Sequence, residues 1–132
     1  MNANQQCAAL LSNLTTTSPQ PGGTRLVDVM HQRLFTSPGT YINSGIGFYS
    51  GQTTRDTSGN VPCSSGYYCA WTIPGRTSVN VCDRYESLEG QTGMEGNILI
   101  HEMLHTLGLP EGGQGQYTNQ QITDLVTNAC GN

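Results

Sequence analysis

Lysine is absent from the 132 residues, and charged side chains of all kinds make up only 11% of the chain. Five arginines face nine carboxylates, giving a net charge of −4 with no basic run. That removes the electrostatic footprint of a nucleic-acid or anionic-membrane binder. No apolar run approaches the ~20 residues of a membrane span, and the N-terminus lacks the apolar core of a signal peptide, so a secreted precursor is expected to have lost its signal already. The five cysteines contain no CxxC pair, which argues against both a thiol redox motif and a cysteine-rich zinc module.

Ser, Thr, Asn, Gln and Gly fill the polar positions in place of charges, a surface suited to an extracellular protein. The length fits one domain over residues 1–132, with a modest core that would gain from disulfides. Bridges among Cys7, Cys63, Cys69, Cys82 and Cys130 are therefore expected, with secretion as the matching location. A Cys7–Cys130 bridge would pin the two ends. Cys69 paired with Cys82 would leave Cys63 odd, and Cys63 with Cys69 is an open alternative.

Along the chain, Ala8, Leu10, Leu11 and Leu14 predict a helix over residues 3–14, ended by the Pro- and Gly-rich stretch 15–23. Leu26, Val27, Val29, Met30 and Leu34 predict a second helix over 24–35, stopped at Ser37-Pro38-Gly39. Aromatic and β-branched residues from Tyr41 to Tyr49 predict a strand. Residues 52–65 read as a surface loop. Residues 67–73 and 77–82 then read as a hairpin; with Gly75-Arg76 as the central pair of a type II′ turn, Ile73 falls opposite Ser78 and Cys69 opposite Cys82. A helix over 94–107 follows, ended by Gly108. The last helix is capped by Thr118 or Asn119, with Thr118 and Gln121 at capping-box spacing and Ile122, Leu125, Val126 and Ala129 as its apolar stripe. The mixture of helices with a small antiparallel or mixed sheet predicts an α+β fold.

Two of the three histidines, His101 and His105, stand four apart on the helix over 94–107, with Glu102 directly after the first. Residues i and i+4 share a helix face about one turn apart, so both imidazoles can reach one Zn²⁺. Glu102 falls beside them, where a carboxylate can take a proton from a metal-activated water. Leu99, Ile100, Met103, Leu104 and Leu107 point the other way, predicting a core face and a separate cleft face. His31, on the polar edge of the second helix, reads as a solvated histidine, and Trp71 as a packing residue.

His101-Glu102-Met103-Leu104-His105 continues to Gly108 and Glu111 as H-E-x-x-H-x-x-G-x-x-E. This resembles the extended motif of the zincin metallopeptidases, and within them the metzincin spacing, with glutamate as third ligand where the snapalysin group has aspartate. The chain departs from metzincins in having no methionine beyond Met103 to form their methionine turn. The resemblance implies a small zincin-like fold with His101, His105 and Glu111 as Zn²⁺ ligands, Glu102 as general base, and Tyr117, by analogy with tyrosines of related peptidases, stabilising the oxyanion. Asp124 is the competing third ligand, but it lies about 160° from the apolar stripe of the last helix and should face solvent. The expected function is a secreted, monomeric zinc endopeptidase acting on a peptide or protein. A zinc hydrolase of another substrate and a non-catalytic zinc-containing binding module are the alternatives.

Overall fold

The computed structural model describes residues 3–16, 23–66, 68–73, 75–88, 94–109 and 117–130. It is a mixed helical and β structure, as the element pattern predicts. Helix α1 (Ala3–Asn13) is followed by α2 (Leu26–Gln32), and a Thr15–Arg25 bridge closes the connection between them. Helix α2 ends in a Schellman motif: Phe35 N–H bonds the Met30 carbonyl and Leu34 N–H that of His31, with Leu34 at φ +70°.

Residues 41–49 correct the single strand expected there. Ser37 caps the amide of Thr40 (3.2 Å), with Pro38 at the first helical position. Ser-Pro thus starts a helical turn, α3 (Pro38–Thr40), where the sequence reading saw only a terminator. The turn runs on as a π-turn over Tyr41–Gly45, and only Gly47–Ser50 forms strand β1. Gly45 is required by close packing, since a Cβ there would come within 2.6 Å of the Tyr41 ring.

The three-stranded mixed sheet has the order β1-β3-β2. Strand β3 (Ser78–Val81) pairs parallel with β1 and antiparallel with β2 (Ala70–Trp71). Ala70 opposite Val81 and Trp71 opposite Asn80 match the expected hairpin register. The turn itself differs. Arg76 N–H bonds the Ile73 carbonyl and Gly75 has φ +86°, so Gly75 holds the third position of the turn, where a type II turn needs positive φ.

Helix α4 (Met94–Thr106) packs on β2 and β3, and α5 (Asn119–Cys130) packs between α4 and α1. The shared core joins Leu11 and Leu14 of the α1 end, Leu26, Val29 and Met30 of α2, Val79 of the sheet, Leu104 and Leu107 of the α4 end, and Ile122 and Val126 of α5. Each such fully buried aliphatic side chain contributes roughly 1.5–3 kcal/mol. The capping box of α5 forms in both directions: Gln121 N–H to Thr118 Oγ1 at 3.1 Å and Thr118 N–H to Gln121 Oε1 at 2.9 Å.

Cys7–Cys130 ties α1 to α5, as anticipated. The second bridge is Cys63–Cys82, leaving Cys69 as the free thiol, against both pairings entertained for Cys69. The reason lies in the ladder. Cys82 N–H donates to the Cys69 carbonyl (2.9 Å), so the two form a hydrogen-bonded pair, whereas side chains lie closer across the ladder in the non-hydrogen-bonded pair that a bridge between them would use. Cys63, on the short helical turn Pro62–Ser65, reaches Cys82 from the side with Cα atoms 5.3 Å apart. Trp71 packs on this bridge with Ile73 as a second small core. Among the described residues, no helix is long and apolar enough to cross a membrane.

Candidate metal centre

Helix α4 brings His101, Glu102 and His105 together, with ligand atoms all within 4.8 Å of one another. All three are buried, at 8%, 5% and 3% exposure. α4 is covered on both sides at this level, since Met103, Leu104 and Leu107 on its other face are equally buried. Polar groups withdrawn this far from water need partners, and each has one.

His105 Nδ1 lies 2.7 Å from the Leu109 carbonyl oxygen. A carbonyl only accepts, so Nδ1 carries a proton, which makes Nε2 the nitrogen through which this ring could bind a metal. The partner is placed by the helix end. Gly108, at φ +107°, occupies the left-handed position of a Schellman motif in which Leu109 N–H bonds Leu104 O and Gly108 N–H bonds His105 O. His101 Nδ1 lies 3.2 Å from Thr123 Oγ1 on α5. A hydroxyl can donate or accept, so the tautomer that frees Nε2 is available there too. Burial first, then repulsion from His105, pushes the His101 imidazole down from 6.5 to about 4, against a hydrogen bond to Asn119 that favours the charged ring. The ring is therefore neutral at pH 7, the form that binds metal.

Glu102 Oε1 accepts a 3.0 Å hydrogen bond from Thr72 Oγ1, on the residue after β2. The hairpin that carries Thr72 is fastened to the end of α4. Gly75 N–H donates to the His105 carbonyl (2.9 Å), and Arg33 bonds both the Gly75 carbonyl (3.1 Å) and the Thr106 carbonyl (2.7 Å). Arg33 also donates to the Tyr41 hydroxyl, 2.8 Å from Thr106 Oγ1, which in turn donates to Met103 O. This chain of bonds holds the last turn of the site helix.

The imidazoles of His101 and His105 with a neighbouring carboxylate form a nitrogen and oxygen donor set of the kind that suits Zn²⁺. Glu111, the expected third ligand, lies outside the described residues. Asp124 is exposed, its carboxylate accepting from Gln120 (3.0 Å), so it faces solvent as its helical position predicted. Tyr117 is 40% exposed, two residues ahead of α5. His31 is exposed, as expected of a solvated histidine.

The sequence reading missed Thr72, Thr123, Asn119 and the Leu109 carbonyl. Three of these had a signal. Ala70 and Thr72 alternate with Trp71 and Ile73, and only the latter pair packs on the Cys63–Cys82 bridge. The opposite side of the hairpin therefore faces α4. Asn119 and Thr123 are i and i+4 on α5, so one polar face was readable without its target. Comparison of the chain with protein-family models, curated proteins and solved structures gives no match, so the centre is read from its own residues.

Proposed function

We propose that this protein is a secreted zinc-dependent endopeptidase. The observation that carries the reading is the buried His101–Glu102–His105 cluster, in which His105 Nδ1 is committed to the Leu109 carbonyl and a carboxylate stands beside the two imidazoles. His101 and His105 hold the metal, with Glu111 as third protein ligand on the motif spacing. A bound Zn²⁺ supplies Lewis acidity and lowers the pKa of a water towards ~7. Glu102 takes the proton of the attacking water and passes it to the leaving amine, a role that needs a carboxylate within reach of that water. Tyr117 is assigned to the oxyanion by the family resemblance alone. Two disulfides are consistent with an extracellular protein.

Metal analysis and a peptide-library digest test the reading together. Wild-type protein should carry one zinc and cleave, Glu102→Ala should carry zinc and not cleave, and a strong chelator should stop cleavage. Glu111→Ala should lose zinc while Asp124→Ala keeps it. The near-complete burial of the cluster supports a second reading, a non-catalytic module with a closed metal site. Stoichiometric zinc without cleavage by the wild type would establish that reading instead.

A further inference from the structure

Glu102 sits in a position with two chemically incompatible outcomes. Its carboxylate and the two imidazoles lie within 4.8 Å of one another, so all three can reach a common cation. In a buried site the attraction between a carboxylate and a dication is strong. A carboxylate drawn onto the metal becomes a ligand and loses its availability as a base. A glutamate side chain has enough rotatable bonds to make that move unless something holds it.

Thr72 supplies the hold. The 3.0 Å bond runs from the Thr72 hydroxyl, as donor, to Glu102 Oε1, and so fixes that oxygen of the carboxylate. Threonine is branched at Cβ and stiff at χ1, which makes it a better fixed donor than a longer polar side chain. Its backbone is also anchored. It follows β2 directly, and three residues later Gly75 is bonded through its amide to His105 and through its carbonyl to Arg33. The hydroxyl that touches Glu102 is thus referenced to the same helix that carries both histidines.

We infer that Thr72 is a positioning residue that keeps Glu102 off the metal and available as a base; the inference rests on the zinc peptidase reading. Thr72→Val keeps the branched shape and removes the donor, while Thr72→Ser keeps the donor. The test compares wild type and both variants by kcat and KM on a cleavable peptide and by the visible absorption of the cobalt-substituted proteins, which weakens as coordination number rises. Thr72→Val should lose tenfold or more in kcat with KM within twofold, and its cobalt bands should weaken and shift. Thr72→Ser should restore both. Wild-type kcat and wild-type cobalt bands in Thr72→Val would overturn the inference. If the wild-type protein binds cobalt but cleaves nothing, the peptidase reading fails by itself. The cobalt spectra then decide alone: altered bands in Thr72→Val support the hold on Glu102, and identical bands overturn it. Thr72→Ala serves the same comparison if the valine variant does not fold.

Discussion

The Nδ1 atom of His105 lies 2.7 Å from the carbonyl oxygen of Leu109, so the residue that completes the end of helix α4 also orients the imidazole one turn before it. Helix termination and ligand orientation are one local structure, hinged on Gly108 at φ +107°.

Gly108→Ala should therefore act on both. An L-residue in that conformation costs roughly 1–2 kcal/mol, to be read in a denaturation midpoint. Displacing the Leu109 carbonyl should also weaken zinc binding by roughly 10–100-fold, measured by competition with a chromophoric chelator. Gly96, exposed on the same helix with nothing near its missing Cβ, is the control. Gly96→Ala should raise stability by about 0.5–1 kcal/mol and leave zinc affinity unchanged.

Acid should destabilise the metal-free protein earlier than surface carboxylates alone would require. His101 titrates near 6.5 when unfolded and at about 4 when folded. Between those values the unfolded chain binds the proton and the folded one does not, so stability falls as pH drops through that window and the contribution is fully present above it. At about 1.4 kcal/mol per pH unit the loss is roughly 3 kcal/mol. Urea melts of chelator-treated protein at pH 7, 5.5 and 4 read it directly. His101→Gln should flatten the dependence in that range.

Peptide mapping under non-reducing conditions should find Cys7–Cys130 and Cys63–Cys82, with Cys69 alone alkylated once the chain is unfolded. The two bridges close loops of very different length, with sequence separations of 123 and 19. On chain entropy the longer one stabilises more, close to 5 kcal/mol against about 3. The double serine variant at Cys7 and Cys130 should accordingly show the larger drop in melting temperature than the variant at Cys63 and Cys82. The reverse order would show that strain in the folded state outweighs loop entropy.

Leu34 is left-handed at φ +70° and 90% exposed, so it has backbone strain without compensating burial. Leu34→Gly should raise stability by up to about 1 kcal/mol, the relief of strain being partly offset by the greater freedom of glycine when unfolded. Thermal melts of the two proteins check it, and a lower midpoint for the variant would indicate that the Leu34 side chain makes stabilising contacts after all.

Helices were the most legible part of the fold. The spans of α1, α4 and α5 follow from apolar spacing at 3.6 residues per turn and from local chemistry at their ends, such as the Thr118–Gln121 box and Gly108. Residues 37–45 were misread because Ser-Pro-Gly can end one helix or cap the next, and which it does depends on whether Tyr41 finds a buried place. Tyr41 does, between Arg33 and Thr106. The hairpin register agrees with the sequence reading although the turn itself differs, but the side chains that share a disulfide were not legible. Cys63 comes from a separate turn that approaches Cys82 only in three dimensions.

What the sequence alone determined is the i, i+4 pair of histidines with Glu102 between them, because helical periodicity is a local property and places those groups on neighbouring positions whatever surrounds them. What only the tertiary structure decided is the environment that gives those groups their chemistry. Thr72 on the hairpin, Thr123 on α5 and the depth of burial that neutralises His101 come from segments distant in sequence. Their effect depends on distances of about 3 Å, which arise only once the helices and sheet have packed around a common core.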